Sequence, residues 1–320
     1  MSDVRPPEAE GAVQAPIEPE LHAMGPVAGS AEGTILARSQ WQLFRRKFLR
    51  HKAAMASSVM LLLLILAAIF ADTVAPYGFN DINVTSSNLA PTFADQHYFG
   101  TDQLGRDYFS RVVFGLRTSL VVGALVALVS SVIGSVIGAL AGYYGGMIDA
   151  ILMRFTDLVL IVPGLAVLLV AAGLLEARDP VQVALILAGL VWVSLARIVR
   201  GSFLSLREKE YVEAAKAGGC GDVRIIARHI LPNALGPIIV NATLVVATAI
   251  LIEATLSFLG LGVQPPRPAL GALINDGRAA MQSSWWLVVM PGLTLVTICL
   301  CINFIGDGLR DALDPTQQED

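Results

Sequence analysis

The chain is poor in charged residues and in cysteine, and both shortages restrict the kind of protein it can be. Asp, Glu, Lys and Arg make up 15% of the 320 residues, whereas hydrophobic residues make up 55%. Soluble domains usually carry about 25% charged residues, so this composition indicates a polytopic membrane protein. Cys220, Cys299 and Cys301 are odd in number and share no repeated spacing, which argues against a disulfide framework or a zinc site.

The sequence also lacks the residues of a nucleotide-binding or catalytic site. No G-x-x-x-x-G-K-[ST] segment is present, so we do not expect this chain to hydrolyse ATP itself. Its four histidines, at positions 22, 51, 97 and 229, are scattered and do not form a metal-ligand cluster. We therefore expect a protein that is not an enzyme and that binds no cofactor of its own.

The N-terminal quarter divides into three segments. Residues 1–35 are rich in Ala, Glu, Pro and Gly and poor in aromatic residues, so we predict a disordered tail. Residues 36–52 are basic, and residues 53–75 are apolar for about the 20 residues that cross a bilayer. The positive-inside rule places the basic segment, and with it the N-terminus, in the cytoplasm.

Further apolar stretches predict five more transmembrane helices. They cover approximately residues 119–140, 158–175, 181–199, 238–263 and 285–305. The polar segment 76–117 is then extracytoplasmic, residues 118–310 form a five-helix core, and residues 311–320 form a second cytoplasmic tail. The segment before the fifth span is rich in Lys and Arg, so the same rule places it inside. We predict an all-α membrane protein with six spans and both termini in the cytoplasm.

Glycine and proline mark special positions in these spans. Gly134, Gly138 and Gly142 recur every four residues, a spacing that lets two helices approach closely in lipid. Pro163 and Gly164 interrupt the third span. They produce either a simple kink or a broken helix that lines a cavity.

The segment between the fourth and fifth spans is polar but is patterned like folded protein. An Ala-rich helical turn at residues 212–217 runs into glycines, and Asp222 is the expected N-cap of an amphipathic run that ends at Pro232. This segment also has a definite spacing. Three residues separate Glu213-Ala214-Ala215 from Gly219. Nine residues follow Gly219, and two more then precede Leu231-Pro232.

This spacing, within residues 203–232, resembles the EAA loop of permease subunits in ATP-binding-cassette (ABC) importers. The one departure is His229, which stands where the pattern has Ile. In that family the loop is a coupling helix that sits in a groove of the ATPase subunit. The resemblance implies an ATPase-coupling role for Glu213, Ala214, Ala215, Lys216, Gly219, Arg224, Leu231 and Pro232.

A second segment narrows the resemblance to one subfamily. Residues 97–120 read HYFGTDQLGRDYFSRVVFGLRTSL. This is similar to the GTDxxGRDxxSR segment of the peptide and nickel permeases, in particular their C-type subunit in dipeptide and oligopeptide transporters. Residues 141–157, 253–266 and 306–315 agree with the same family. The resemblance covers about residues 41–315 and implies the type I ABC importer permease fold.

Six further polar residues are candidates for function. Asp102 and Arg106 are four residues apart, and we expect them to pair on one helical turn. The candidates for contact with an extracytoplasmic binding protein are Asp102, Arg106, Asp107 and Arg111. For Arg106, Arg111 and Arg117, which flank the outer membrane surface, a structural or lipid-anchoring role is our first interpretation, contact with a partner the second and contact with a peptide carboxylate the third. Glu253 and Asn241 are candidate pathway or gate residues, because polar groups inside a span are costly and therefore suggest a function. For Glu253 our main interpretation is a hydrogen-bonded structural role near the outer interface.

The resemblance implies a permease subunit of an ATP-driven di- and oligopeptide importer in a bacterial cytoplasmic membrane. The expected partners are a second homologous permease, two ABC ATPases that bind ATP and Mg, and an extracytoplasmic peptide-binding protein, but no nucleic acid. Nickel, glutathione or another small solute is the alternative cargo. A stand-alone secondary transporter is the alternative from another class. The sequence argues against it, because no internal inverted repeat is detectable and few ionisable residues lie mid-span.

Overall fold

The computed structural model describes residues 40–93, 95–175 and 179–313, and the following statements concern these ranges. Their regular structure is helical, apart from an isolated β-bridge between Thr101 and Asp107. The helices are α1 (Gln40–Arg50), α2 (Lys52–Ile69), α3 (Ala71–Val74), α4 (Tyr108–Tyr144), α5 (Gly146–Ile161), α6 (Gly164–Leu174), α7 (Pro180–Leu206), α8 (Glu210–Ala217), α9 (Asp222–Ile225), α10 (Leu231–Phe258), α11 (Leu270–Gly277) and α12 (Trp286–Leu313). The predicted tail 1–35, and the tail 311–320 from residue 314 onward, lie outside the described residues.

Five helical stretches of the described chain are long and apolar enough to cross a bilayer. They are α2, α4, α7, α12 and the continuous run from Asp222 to Phe258 that contains α9 and α10. Helices α5 and α6 pass the same test only as a pair. The predicted all-α class is therefore confirmed, and the described residues contain five or six candidate spans.

The α5–α6 pair is bent by 82° at the break between Ile161 and Gly164. Pro163 disfavours helical geometry at Val162, and both residues adopt extended backbone conformations. A bend of this size is a break in the helix and not the simple kink that the sequence also allowed. Two ion pairs hold α5 against α7: Arg200 Nε lies 2.5 Å from Asp149 Oδ1, and Arg197 Nη2 lies 2.5 Å from Asp157 Oδ1.

Helix α4 is longer than the sequence predicted. It begins at Tyr108, eleven residues before the predicted start of the second span, and its 37 residues extend for about 55 Å. Asp107 is its N-cap, and the Asp107 carboxylate accepts a hydrogen bond from the backbone N–H of Ser110 at 2.7 Å. The last ten residues of the predicted segment 76–117 therefore belong to this helix.

The glycine stripe of α4 lies against α7. A Cβ atom at Gly134 would lie 2.8 Å from the carbonyl oxygen of Trp192, and one at Gly142 would lie 2.6 Å from Cβ of Phe203. At Gly138 an added Cβ would overlap the carbonyl oxygen of Ala196. The predicted close approach is thus confirmed. The two helices are in backbone contact along this stripe because its residues have no side chains.

Candidate functional sites

The segment that joins α7 to α10 is a folded element, which we call the linking element (residues 207–230). After α8 the chain turns through Gly218 and Gly219, and the φ angle of Gly219 is +77°, a conformation that favours glycine. Helix α9 follows, and a π-helical turn (Ile226–Ile230) then joins α9 directly to α10. The linking element and α10 are therefore one continuous helical body from Asp222 onward.

Two details of the predicted loop are wrong. The N-cap of α9 is Gly221, while Asp222 is the first helical residue and its carboxylate accepts a hydrogen bond from the Tyr143 hydroxyl at 2.7 Å. Pro232 does not end a helix, because it is the second residue of α10. Pro232 lies in the first turn of α10, where a residue without an N–H group is tolerated. A wider π turn directly precedes it, in which the N–H of Leu231 donates to the carbonyl oxygen of Ile226.

The inner face of the linking element is buried against α4 and α7. Val212, Ile225 and Ile230 are completely buried. They belong to a hydrophobic cluster that also contains Ala139, Tyr143, Leu195, Val199 and Phe203. Polar contacts strengthen this packing, since Arg207 Nη1 donates to the carbonyl oxygen of Gly142 at 3.2 Å, at the last turn of α4. The linking element is consequently fixed to two spans and continuous with a third.

The outer face of the linking element carries most of the residues that the sequence singled out. Glu213, Ala214, Lys216, Gly219, Arg224 and Pro232 are exposed, and Ala215 and Leu231 are half-buried. Sequence reasoning missed Val223, whose apolar side chain is 77% exposed beside Arg224. It also missed Tyr143, which lies 70 residues before Glu213 and contacts the element from α4. The described chain thus presents a mixed apolar and charged surface on a rigid support.

A second cluster lies at the opposite end of α4. The Asp102 carboxylate accepts hydrogen bonds from Arg106 Nε and Arg111 Nη1, both at 2.7 Å. It also accepts hydrogen bonds from the backbone N–H groups of Leu104 and Arg106, at 2.9 and 3.0 Å. Asp107 lies 2.8 Å from His97 Nδ1 while it caps α4. This network ties residues 97–107 to the start of the helix.

The expectations for this cluster need two corrections. Asp102 and Arg106 do pair, but they lie in a turn closed by the bridge between Thr101 and Asp107 and not on a helix. Asp102, Asp107 and Arg111 are buried, so they do not present themselves to a binding protein. Their carboxylates and guanidinium group form the hydrogen bonds and ion pairs that attach the turn to α4. Only Arg106, whose side chain is 18% exposed, keeps some accessibility.

Replacing Asp102 with asparagine is expected to destabilise the protein by about 3 kcal/mol, because the buried Arg111 guanidinium loses its charged partner. The matched control is Asp276→Asn. The Asp276 side chain is 58% exposed and lies 3.9 Å from Arg111 Nη2, so this change should alter stability by no more than about 0.5 kcal/mol. Thermal unfolding of the purified variants measures both. Equal melting temperatures for the two variants would contradict a structural role for Asp102.

The two candidate gate residues differ in their surroundings. Glu253 is completely buried; its Oε2 accepts a hydrogen bond from Ser119 at 2.9 Å and its Oε1 accepts one from Ser257 at 2.6 Å. Glu253 thereby links α10 to α4, as its structural interpretation requires. The side-chain oxygen of Asn241 is buried and has no hydrogen-bond partner among the described residues. A role for either residue in a gate stays a prediction.

Two family models match the chain. Residues 39–91 match the N-terminal TM domain of oligopeptide transport permease C, and residues 134–318 match the binding-protein-dependent transport system inner membrane component. Together with the apolar spans, these matches define a membrane permease subunit of an ABC transporter, which is not an enzyme. The chain belongs to the family of binding-protein-dependent transport system inner membrane components.

Curated relatives share the sequence over nearly their whole length. The oligopeptide transport system permease protein OppC of Escherichia coli is 45% identical over 279 residues, which cover 87% of this chain and 92% of that protein. The OppC protein of Haemophilus influenzae is 43% identical and covers 87% and 89% of the two chains. The OppC protein of Mycobacterium tuberculosis is 40% identical and covers 88% and 96%. The similarity is therefore not confined to one motif.

Proposed function

We propose that this chain is the C-type permease subunit of an ATP-driven importer of di- and oligopeptides. It forms half of the translocation pathway, and a second homologous permease forms the other half. Two ABC ATPase subunits, which bind ATP and Mg, supply the energy, and an extracytoplasmic binding protein delivers the peptide. The names of the relatives, at 40–45% identity over most of the chain, support this assignment.

The proposed topology is that of a multi-pass protein of the bacterial cytoplasmic membrane. The α5–α6 pair is taken as a broken third span, which gives six spans of the type I importer fold with both termini inside. Basic residues support this orientation. Arg45, Arg46 and Lys52 lie just before or at the start of α2, while Lys209, Arg224 and Arg228 lie in or beside the linking element. We also propose that residues 1–35 and 311–320 are cytoplasmic tails and that 76–107 is extracytoplasmic.

The observation that carries the coupling proposal is the two-sided structure of the linking element. Its exposed side, with Glu213, Ala214 and Val223, is available to a partner, while its buried side is packed against α4 and α7. The π turn Ile226–Ile230 connects it to α10 without a flexible joint. An ATPase that displaces the exposed side therefore displaces three spans together.

The displacement reaches the other side of the membrane through α10. This helix has 28 residues and is about 42 Å long. Near its far end, Glu253 is hydrogen-bonded to Ser119 of α4. In the proposed cycle, ATP binding closes the ATPase pair and the linking element moves with it. The spans then reorient, and the pathway opens alternately to the two sides of the membrane.

Reconstitution of the complete transporter in liposomes tests the proposed function. We expect uptake of a labelled oligopeptide. This uptake should require the binding protein on one side of the membrane and ATP on the other side, where the ATPase subunits lie. Matched controls are liposomes with ATPase subunits that cannot hydrolyse ATP and liposomes with this chain alone, and neither should accumulate peptide. Uptake by the chain alone would overturn the importer assignment. Uptake of nickel or glutathione without peptide would overturn the cargo assignment.

A further inference from the structure

The linking element contains a joint between α8 and α9 that the backbone alone does not fix. The N–H groups of Gly219 and Cys220 donate hydrogen bonds back to α8, whereas the carbonyl oxygen of Gly221 accepts hydrogen bonds from α9. The two helices therefore meet at Gly221. A Cβ atom there would have no neighbour within 4 Å among the described residues other than those next to it in the chain. Since glycine turns easily, the angle between α8 and α9 depends on side-chain contacts.

Tyr143, in the last turn of α4, contacts both sides of this joint. Its hydroxyl group donates a hydrogen bond to Oδ1 of Asp222, the first residue of α9, at 2.7 Å. Lys216 Nζ, in the last turn of α8, lies 5.6 Å from the centre of the Tyr143 ring, as a cation–π contact. A second polar contact across the joint, from Asn233 Nδ2 to the Tyr211 hydroxyl at 3.3 Å, is exposed and longer. The side chain of Tyr143 thus braces α8 against α9.

The position of Tyr143 is itself fixed. The residue is 9% exposed and packs in the hydrophobic cluster with Val199 and Phe203 of α7. Arg207 Nη1 donates a hydrogen bond to the carbonyl oxygen of Tyr143 at 3.4 Å. The backbone contact along the glycine stripe prevents α4 from moving separately from α7. A force on α8 or α9 that passes through Tyr143 consequently acts on both spans.

We infer that Tyr143 is a positioning residue for coupling, because its hydroxyl group holds the joint at one angle and makes α8 and α9 move as one body. The inference rests on the proposed docking of an ATPase subunit to the exposed side of the linking element. If the joint turns, α8 follows the ATPase while α9 and α10 remain in place, and ATP is hydrolysed without transport. Removal of the hydroxyl group should therefore lower peptide uptake per ATP and leave the rate of hydrolysis close to that of the parent protein.

Tyr143→Phe tests this inference, because it removes the hydroxyl group and keeps the ring that faces Lys216. In the reconstituted transporter we expect peptide uptake per ATP hydrolysed to fall about fivefold, since a hydrogen bond to a charged group contributes a factor of about ten to an equilibrium. The matched control is Tyr144→Phe, on the same turn of α4, where the side chain is 45% exposed. This control should keep the parent ratio. An unchanged ratio in Tyr143→Phe would overturn the inference.

Changes at Asp222 separate the hydrogen bond from the packing of the tyrosine ring. Asp222→Asn keeps an oxygen acceptor and should retain coupling, whereas Asp222→Ala removes the acceptor and should resemble Tyr143→Phe. Because both changes break the same hydrogen bond, the variant that combines Tyr143→Phe with Asp222→Ala should lose no more than either change alone. Additive losses would contradict the inference.

A distance measurement tests the brace without transport. Spin labels are placed at Glu213→Cys in α8 and Arg228→Cys in the π turn, both exposed positions, in a purified transporter whose chain lacks its native cysteines. We expect Tyr143→Phe to broaden the distribution of distances between the two labels. The measurement does not depend on the cargo, so it distinguishes a failure of the brace from a failure of the proposed function. Equal widths with and without the hydroxyl group would overturn the inference.

Discussion

Gly138→Leu is expected to prevent α4 and α7 from packing, and the protein should not assemble into a stable transporter. A Cβ at this position already overlaps the carbonyl oxygen of Ala196, and a leucine adds three more carbons. Overpacking against movable side chains costs about 1–3 kcal/mol. Here the neighbour is helix backbone, which cannot rotate away, so we expect a cost above about 3 kcal/mol out of a total stability of about 5–15 kcal/mol.

Gly189→Leu is the matched control for this prediction. Gly189 lies on α7 inside the membrane-spanning stretch, and apart from its chain neighbours and its own helical backbone no atom of the described residues lies within 4 Å of the position of its added Cβ. This variant should assemble and melt close to the parent protein. Size-exclusion chromatography and thermal unfolding in detergent measure both variants. Normal assembly of Gly138→Leu would show that the α4–α7 interface is looser than the structure describes.

Ala214→Trp is expected to uncouple ATP hydrolysis from transport while it leaves the membrane core folded. Ala214 is exposed on α8 and does not belong to the buried cluster, so a larger side chain meets no neighbour within this chain. In the proposed complex it faces the ATPase, and an indole there blocks close docking. We expect peptide uptake to fall about tenfold or more, which corresponds to about 1.4 kcal/mol of lost docking free energy.

The control for this experiment is Ala53→Trp, another exposed alanine, at the start of α2 and distant in sequence from the linking element. It should transport normally. Uptake and ATP hydrolysis are measured on the same reconstituted samples, and the melting temperature of each variant reports folding. Unchanged uptake per ATP in Ala214→Trp, with the complex intact, would remove the docking role from this surface.

The sequence predicted the periodic features of this protein well. Apolar runs located the five long spans, because a span needs about 20 such residues whatever its neighbours are. The predicted third span 158–175 covered α6 but missed most of α5 (Gly146–Ile161). The spacing of Gly134, Gly138 and Gly142 predicted a close helix contact before the partner helix was known. The glycine break after α8 was also found, since few residues other than glycine adopt the φ angle of Gly219.

Predictions from local sequence were wrong at Asp222, at Pro232 and at the Asp102–Arg106 pair. Asp222 has a side chain typical of an N-cap, but its carboxylate accepts a hydrogen bond from the hydroxyl of Tyr143 instead. Proline usually marks a helix end, yet the helix continues through Pro232 because a π turn directly precedes it. Asp102 and Arg106 have helical spacing, but Asp102 also binds Arg111 and two backbone N–H groups, and this network holds a turn.

The amino-acid sequence by itself determined the membrane class, the approximate spans, the family, and the polar segment between α7 and α10. The class, the spans and the polar segment follow from composition and short-range spacing, which do not depend on the fold, whereas the family came from the resemblance of residues 97–120 and 213–232 to known permeases. Only the tertiary structure decided which side chains are accessible. Asp102, Asp107 and Arg111 are buried by residues far along the chain, whereas Glu213, Ala214 and Val223 remain exposed. Burial is set by helices packed from distant parts of the sequence, and no local pattern encodes it.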